Sequence, residues 1–310
     1  MTRCIRIGTR GSQLALAQSR WVQTWLQQHL AVDAQLVVIK TSGDRFVDQP
    51  LSRIGGKGLF VKEIEEALLA RTIDCAVHSM KDVPSDLPVG LVIAAVPPRE
   101  DSRDVLITTR GGGLEDLPAG ARLGTSSLRR MALVRCVRRD VEVRSLRGNV
   151  DSRLRALERG EHDALILAAA GLRRLGIERA GVTALDPAQF LPAIGQGALA
   201  IETRADDVAE ELAAFDDPQT RIAITAERAF LRRVGGSCRT PLAAHATIVG
   251  DRVELCALIA AVDGGRVVRD TRSDTVGAAA ALGTRLAEDL LGRGGADILR
   301  ALEAEETGAA

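Results

Sequence analysis

Residues 5–40 have the sequence IRIGTRGSQLALAQSRWVQTWLQQHLAVDAQLVVIK, and this stretch decides the fold class. Ile5 to Gly8 is a short apolar strand, and Ser12 follows where a helix N-cap belongs, because its hydroxyl can accept a hydrogen bond from a free backbone N–H. Apolar residues then recur with helical spacing from Gln13 to Leu30, and Gln35 to Lys40 is a second strand. The order strand, helix, strand indicates an α/β domain with a largely parallel sheet.

The alternation of strands and helices continues along the chain and restarts after Pro97-Pro98. Before that point the sequence predicts a helix over Leu59–Ala70 and a buried strand over Cys75–His78. Beyond it the sequence predicts strands over Val105–Thr108, Val141–Ser145 and Ala164–Ala169, and helices over Leu128–Arg138 and Val150–Glu158. A second α/β domain therefore follows the first.

The last third of the chain has a different pattern. Phe190–Glu202, with a proline and two glycines, predicts a return crossing between the two α/β domains. From about Thr220 onward we expect a small α+β domain, and we expect its last residues, Glu303–Ala310, to be frayed. Its predicted elements are an opening helix, strands over Val253–Ile259 and Arg266–Arg269, and a helix over Ala278–Leu291. The expected domains are residues 1–98 with 198–216, residues 99–197, and residues 217–310.

Composition excludes several classes of protein. The chain has 310 residues, enough for two or three domains, and its 41 basic and 41 acidic residues balance, which is not typical of a uniformly basic nucleic-acid binder. It has no secretory signal and no apolar run of about eighteen residues, so we expect a cytoplasmic protein without a membrane anchor. The five cysteines form no CxxC pair, which argues against a disulfide framework and against a metal site.

Many arginines lie at strand ends and helix starts, where an open α/β sheet binds its ligands and where helix N-termini attract anions. Guanidinium groups that converge on one cleft suit a ligand with several carboxylates or phosphates, because each group can bind an oxyanion bidentately. For any single arginine, a solvated surface position or a helix cap is the alternative. The residues at such junctions are Arg10, Ser12, Thr125, Ser126, Ser127, Arg129, Arg130, Arg147 and Arg153.

The segment from His78 to Pro84, with Lys81-Asp82 at its centre, follows a predicted buried strand. A lysine beside an aspartate at a strand end can bind an anion and stabilise a cation in the same pocket. A local ion pair in a loop is the alternative. His78 alone is more typical of a buried, hydrogen-bonded core histidine than of a catalyst.

Two segments are rich in glycine. Gly55-Gly-Lys57-Gly-Leu-Phe60 lacks the spacing of a nucleotide-binding P-loop, and instead predicts a flap in which Arg53, Lys57 and Phe60 cover a cleft. Gly235-Gly-Ser-Cys238-Arg-Thr-Pro presents a thiol beside an arginine on a polar loop, which favours covalent chemistry over a structural role. No histidine lies nearby in the sequence, so a Cys–His hydrolase has no support.

Taken together, these segments resemble the porphobilinogen deaminase family, also called the hydroxymethylbilane synthases, over the whole length of the chain. The order and spacing of the motifs make the resemblance specific. The motifs are Thr9-Arg10-Gly-Ser12, Gly55-Gly-Lys-Gly-Leu-Phe60-Val-Lys-Glu, Ala76-Val-His-Ser-Met-Lys-Asp82-Val-Pro, Gly124-Thr-Ser-Ser-Leu-Arg-Arg130, Arg144-Ser-Leu-Arg147-Gly-Asn149-Val and Leu191-Pro-Ala-Ile-Gly-Gln196-Gly.

The resemblance implies a fold of three domains, two of them α/β domains like periplasmic binding proteins and the third a small α+β domain. It implies a transferase of porphyrin and heme biosynthesis that condenses four porphobilinogens head to tail, with loss of ammonia, and releases hydroxymethylbilane by hydrolysis. It also implies a dipyrromethane cofactor joined to Cys238 by a thioether, and a monomer.

The resemblance further implies roles for single residues. Asp82 and Lys81 match catalytic residues, and Asp82 would bind pyrrole N–H groups and offset the positive charge that develops as ammonia leaves. Arg10, Arg174 and Gln196 match substrate contacts. Besides Cys238, the residues that match cofactor contacts are Ser12, Thr125, Ser127, Arg129, Arg130, Arg147 and Arg153.

Two other classes of protein compete with this interpretation. A solute-binding protein for a polyanion would explain two α/β domains and an arginine-lined cleft. It would explain neither the glycine-loop cysteine nor the lack of an export signal. An arginine-rich nucleic-acid binder is disfavoured by the neutral net charge and by an aromatic content of 2%, too low for base stacking.

Overall fold

Two five-stranded sheets and one three-stranded sheet organise the protein. The structure, a computed structural model, describes residues 4–30, 32–45, 61–236 and 240–308. The strands in these residues are β1 (Cys4–Thr9), β2 (Asp33–Val38), β3 (Cys75–Ser79), β4 (Leu91–Ala95), β5 (Asp104–Thr108), β6 (Arg122–Gly124), β7 (Glu142–Arg144), β8 (Ala164–Ala168), β9 (Val182–Ala184), β10 (Leu199–Arg204), β11 (Leu242–Val249), β12 (Arg252–Ala260) and β13 (Val267–Thr275).

The helices pack on the faces of these sheets. A 3₁₀ turn, Met80–Asp82, follows β3 directly, and a kink within Leu291–Gly295, where Gly294 has a φ of 106°, joins the last two helices. The α-helices are α1 (Gln13–His29), α2 (Ser42–Arg45), α3 (Lys62–Leu69), α4 (Leu128–Val137), α5 (Val150–Glu158), α6 (Ala169–Arg174), α7 (Ala209–Ala213), α8 (Pro218–Val234), α9 (Ala279–Leu290) and α10 (Ala296–Gly308). None of the described helices combines the length and the apolar character needed to cross a bilayer.

The two large sheets share one topology. Their strand orders are β2-β1-β3-β10-β4 and β7-β6-β8-β5-β9. In each sheet the first three strands are parallel, and the fourth is antiparallel to both of its neighbours. That antiparallel strand is the first one the chain forms after it crosses from the other domain. The predicted pair of periplasmic-binding-protein-like α/β domains is therefore confirmed, and β10 begins within the predicted return crossing, Phe190–Glu202.

The sequence predicted some elements closely and missed others. Helix α5 has its predicted bounds, and β5 and β8 differ from theirs by one residue. The strands β4, β6 and β9 were not predicted; β6 and β9 have only three residues each, too few to show a periodicity that separates a strand from a loop. The domain boundaries drawn from the sequence stay a prediction.

The third domain confirms the predicted α+β class and corrects two of its details. Its sheet is antiparallel, in the order β11-β12-β13, and its core lies between this sheet and helices α8 and α9. Strand β11 was missed because its inner positions are alanines, which have little preference for strands; Ala243 and Ala244 are fully buried. The expected fraying from Glu303 is wrong. Helix α10 continues to Gly308, and Ile298 in its first turn is buried in the domain core.

Helix α8 is the element that joins the three domains. Asp217 caps its start by accepting a hydrogen bond from the Thr220 N–H at 2.8 Å, and Pro218 occupies its first turn. Gly235 ends it with a φ of 74°, a left-handed conformation that glycine adopts without a steric penalty. These residues set the bounds of the helix, which the sequence analysis expected from about Thr220 without giving its end.

Two segments, residues 96–103 and 185–198, connect the α/β domains and are called the first and second crossing segments. Glu227 on α8 holds both of them against the third domain. Its side chain is fully buried and lies 2.6 Å from the Arg99 guanidinium, in the first crossing segment. The carboxylate also accepts the Gly195 N–H at 2.7 Å, in the second crossing segment, and the Ala246 N–H at 2.9 Å, on β11. A buried carboxylate is tolerated only when such partners replace its water. Glu227 therefore ties both connections between the α/β domains to the third domain.

The substitution Glu227→Gln is expected to destabilise the protein strongly. The amide would leave the Arg99 guanidinium buried without a counter-charge, and breaking a buried ion pair in this way costs about 3–5 kcal/mol. Urea denaturation would measure the free energy of unfolding. The matched control is Glu161→Gln, which removes an ion pair with Arg159 in which both side chains are more than half exposed, and should cost less than about 1 kcal/mol. Equal losses in the two variants would contradict the assigned role.

Candidate active site

A cavity of about 850 Å³ is lined by both α/β domains and by α8. The cavity wall is strongly cationic: nine cationic side chains face one carboxylate, Asp82, among the lining residues. The cations are Arg10, Lys40, Lys81, Arg129, Arg130, Arg147, Arg153, Arg174 and Arg228.

The structure brings most of the predicted site residues together in this cavity. Thr125 does not line it: this residue is buried, and its Oγ1 accepts the Ser127 N–H at 3.2 Å, so it shapes the turn before α4. Cys238 and the predicted flap residues Arg53, Lys57 and Phe60 lie outside the described residues. The predicted residues that line the cavity are Arg10, Ser12, Lys81, Asp82, Ser126, Ser127, Arg129, Arg130, Arg147, Arg153, Arg174 and Gln196.

Three helices begin at the cavity wall. Ser12 caps α1 by accepting the Ala15 N–H at 3.3 Å, Ser127 caps α4, and Asn149 caps α5 by accepting the Ser152 N–H at 3.0 Å. The two serines use their oxygens as caps, so their O–H groups remain able to donate to a ligand. Helix N-termini carry partial positive charge, and three of them at one cavity favour an anionic ligand.

Arg129 and Arg130 are buried and share a counter-ion that the sequence analysis did not identify. Asp104, at the start of β5, is fully buried and lies 2.8 Å from Arg129 and 2.7 Å from Arg130. Burial alone would raise the pKa of Asp104, but the two guanidinium groups outweigh burial and hold that pKa well below its usual value. Two cations on one carboxylate leave one net positive charge.

Gln196 belongs to the same network. Its Nε2 donates to the Ser102 carbonyl at 2.8 Å and to Asp104 at 2.9 Å. Its Oε1 is buried and has no hydrogen-bond partner among the described residues. The predicted substrate contact of Gln196 is therefore restricted to this oxygen unless the network rearranges.

Arg147 and Arg153 contribute positive charge, and neither forms an ion pair with a carboxylate of the described residues. One terminal nitrogen of Arg147 is buried and has no hydrogen-bond partner in the described part of the chain. The Arg153 side chain donates to the Gly148 carbonyl at 2.9 Å, and its pKa is lowered to about 10 by burial and then by repulsion from Arg130 and Arg147. An anion bound here would relieve this repulsion.

Lys81 and Asp82 project from the 3₁₀ turn that follows β3, which the buried Met80 anchors to the core. The pKa of Lys81 is lowered to about 8, first because the cavity walls displace water, and also because Arg130 and Arg129 repel its charge. The Lys81 side chain still contacts solvent, so the ammonium form dominates at neutral pH. No described residue forms a hydrogen bond or an ion pair with the Asp82 carboxylate.

His78 is a core histidine, as the sequence analysis expected. Its Nε2 lies 2.9 Å from Glu202 on β10, and both side chains are buried. Glu65 lies near this pair, and its pKa is raised to about 7 by burial and then by repulsion from Glu202. None of these three residues lines the cavity.

The sequence analysis missed several lining residues. Gln18 reaches the site from α1 and donates to the Ser79 hydroxyl at 3.0 Å. Gln18 lies four residues after Leu14 on α1, and this spacing places both side chains on the same face of the helix. Lys40, Asn149 and Arg228 also line the cavity, and only the tertiary fold brings these three together. No group of three or more metal-ligating side chains occurs among the described residues.

Two family models match the chain. One, described as "Porphobilinogen deaminase, dipyromethane cofactor binding domain", matches residues 5–211. The other, described as "Porphobilinogen deaminase, C-terminal domain", matches residues 221–292. Between them they cover the two α/β domains and most of the third domain.

Curated relatives match over nearly their whole length. The porphobilinogen deaminase of Syntrophobacter fumaroxidans is 51% identical over 300 residues, which are 96% of this chain and 97% of that protein. The porphobilinogen deaminase of Syntrophotalea carbinolica is 51% identical over 306 residues, which are 98% of this chain and 97% of that protein. On this similarity and on both family models, the chain belongs to the porphobilinogen deaminase family.

Proposed function

We propose that the cationic cavity holds the dipyrromethane cofactor and the growing pyrrole chain, and that Lys81 and Asp82 act where each new unit is added. The reaction follows from the family: the enzyme is a transferase, hydroxymethylbilane synthase, that condenses four porphobilinogens with release of ammonia and frees hydroxymethylbilane by hydrolysis. The main support for placing the reaction in this cavity is that its lining residues include nine cationic side chains and one carboxylate, Asp82.

The cavity residues fit the dipyrromethane cofactor, to which the cofactor-binding domain owes its name. Each pyrrole ring of this group carries an acetate and a propionate, so it needs several cations at once. Arg147 offers a buried nitrogen that no described residue hydrogen-bonds, and Arg153 lies close to other cations. Bound carboxylates would satisfy the first and relieve the second. These two residues, with Ser127 and Asn149 at the helix starts, would hold the group.

The covalent anchor belongs to the proposal as well. Cys238, outside the described residues, would carry the cofactor through a thioether, and it follows the end of α8 closely in the chain. The bound cofactor supplies a nucleophilic pyrrole carbon for the first condensation. Because the anchor stays fixed, the chain grows at its free end.

The incoming porphobilinogen meets Asp82 and Lys81 at the end of β3. Loss of ammonia leaves a methylene-pyrrolenine cation. The Asp82 carboxylate lines the cavity beside Lys81, and it would accept the pyrrole N–H and offset this charge. After the carbon–carbon bond forms, the same carboxylate would help remove the proton released from the attacked ring. The Lys81 ammonium, with Arg10 and Arg174, would bind the substrate carboxylates and keep the reacting carbons aligned.

The remaining expectations are part of the same proposal. The substrate is porphobilinogen, and we propose a cytoplasmic monomer without a nucleic-acid or membrane partner. The flap residues Arg53, Lys57 and Phe60 would cover the cavity and keep water from the reactive cation.

Intact-protein mass spectrometry with peptide mapping tests the proposed site directly. We expect freshly purified protein to carry a mass excess of two linked pyrrole units on Cys238. Cys238→Ala should abolish the adduct, whereas Cys256→Ala, at a partly exposed cysteine of the third domain, should keep it. If protein with a free Cys238 thiol fails to acquire the adduct after incubation with porphobilinogen or hydroxymethylbilane, the proposed site is wrong.

Asp82→Asn is expected to lower kcat by about 10²- to 10⁴-fold, because the amide neither offsets a developing cation nor accepts a proton. Steady-state ammonia release would measure the rate, and the thermal midpoint should stay unchanged. The matched control is Asp86→Asn, four residues later, where an exposed carboxylate pairs with Arg232 outside the cavity. A near-normal rate in Asp82→Asn would exclude its proposed catalytic role.

The pH dependence of kcat/KM should report Lys81. The pKa of this group is lowered to about 8, so the ammonium is present below that pH and is lost as the pH rises through it. We expect kcat/KM for porphobilinogen to fall on the alkaline side as the carboxylate-binding charge disappears. Lys81→Arg should move this limb to higher pH, because a guanidinium stays charged. Lys62→Arg, on an exposed lysine outside the cavity, should leave the profile unchanged. A profile that Lys81→Arg does not shift would contradict the prediction.

A further inference from the structure

The backbone after the Lys81-Asp82 turn has no regular secondary structure to hold it. Residues 83–85 form neither helix nor strand, so their carbonyl groups lack the partners that a sheet or helix would provide. Backbone carbonyls in a partly buried segment need a donor. The position of the Asp82 carboxylate depends on how these three residues are fixed.

Arg228 supplies donors from the third domain, and for the last carbonyl it shares this role with Arg232, which donates to Ser85 at 3.0 Å. The Arg228 guanidinium donates to three successive carbonyls: Val83 at 3.3 Å, Pro84 at 2.7 Å and Ser85 at 3.1 Å. It also lies 3.8 Å from the sulfur of Met80, the residue that anchors the catalytic turn. One planar group with donors on both terminal nitrogens can serve three diverging acceptors at once, whereas a lysine ammonium on a flexible stem cannot hold the same plane.

Helix α8 connects this contact to the rest of the molecule. Arg228 follows Glu227, the buried carboxylate that joins both crossing segments to the third domain. The same helix ends at Gly235, shortly before the loop with Cys238. Helix α8 therefore contacts the segment after the catalytic turn and both crossing segments, and it ends three residues before Cys238 in the sequence.

We propose that Arg228 is a positioning residue that holds the Asp82 turn in place against helix α8 of the third domain. It acts through the carbonyls of residues 83–85 and not by proton transfer. The inference rests on the proposed roles of Asp82 and Cys238, and it adds that the third domain contributes to the rate of each condensation as well as to attachment.

The test compares Arg228→Lys with a matched variant on the same helix. Arg221 also donates to two carbonyls of the first domain, Ile93 at 3.1 Å and Ala94 at 2.9 Å, but it does not line the cavity. For Arg228→Lys we expect kcat to fall by about 10²-fold with a much smaller change in KM, because a displacement of about 1 Å at the reacting groups has that effect. For Arg221→Lys we expect a lower thermal midpoint and an unchanged kcat.

Two readouts besides activity separate positioning from loss of structure. Intact mass should show the Cys238 adduct in both variants at the wild-type level. Hydrogen exchange should become faster at residues 80–86 in Arg228→Lys and stay unchanged in helix α9. If Arg228→Lys unfolds at the assay temperature, Arg228→Gln, which keeps an amide donor, replaces it in the same measurements.

Three outcomes would overturn the inference. A normal kcat in Arg228→Lys enzyme that has the Cys238 adduct would show that the Met80–Asp82 turn keeps its position without Arg228. A raised KM with unchanged kcat would mean that Arg228 binds substrate directly. An equal loss of kcat in Arg221→Lys would mean that any weakened contact between the first and third domains has the same effect. Absence of the adduct from the wild-type protein would instead count against the proposed function.

Discussion

The arrangement of the active cavity depends on one buried carboxylate, that of Glu227. Transfer of a charged group into the protein interior is costly, and Glu227 is tolerated because Arg99 and two backbone N–H groups replace its water. These partners come from the two crossing segments and from the third domain, so a single charge closes the junction of all three domains. The walls of the cavity belong to different domains, and their relative position is therefore set by this junction.

A second buried carboxylate divides the cations of the cavity into two kinds. Arg129 and Arg130 lie against Asp104, and their charge is partly compensated before any ligand binds. Arg147 and Arg153 have no such counter-ion among the described residues, and burial together with repulsion from neighbouring arginines lowers the pKa of Arg153. A ligand carboxylate gains most where charge is uncompensated, because it replaces no existing partner. We therefore expect ligand carboxylates to bind more strongly at the start of α5, between Arg147 and Arg153, than at Arg129 and Arg130. The sequence pattern did not distinguish these two pairs of arginines.

Much of the fold and of the site could be predicted from the sequence. The features that could not be predicted depend on contacts between residues that are far apart in the chain. Long elements such as α5 and motifs such as Lys81-Asp82 are local features, and local spacing predicted them. Asp104 could not be singled out, since Asp101 lies three residues earlier and only the fold decides which of the two meets Arg130. The role of Arg228 depends in the same way on contacts with residues more than 140 positions away. Strand β11, rich in alanine, becomes a strand only because β12 and α8 cover it.

The crowding of cations in the cavity affects arginine and lysine differently. Burial, aided in some cases by mutual repulsion, lowers the pKa of Arg153, Arg174 and Arg228 to about 10, and each still carries its charge at neutral pH. The same environment brings the pKa of Lys81 to about 8, close to the point where its charge is lost. A cavity that must bind a growing number of carboxylates needs cations that withstand crowding, and arginine provides them. Of the 41 basic residues in the chain only four are lysines, and Lys81 is the one beside Asp82. At that position the Lys81 ammonium can lose its charge as the pH rises through about 8, whereas an arginine would stay charged.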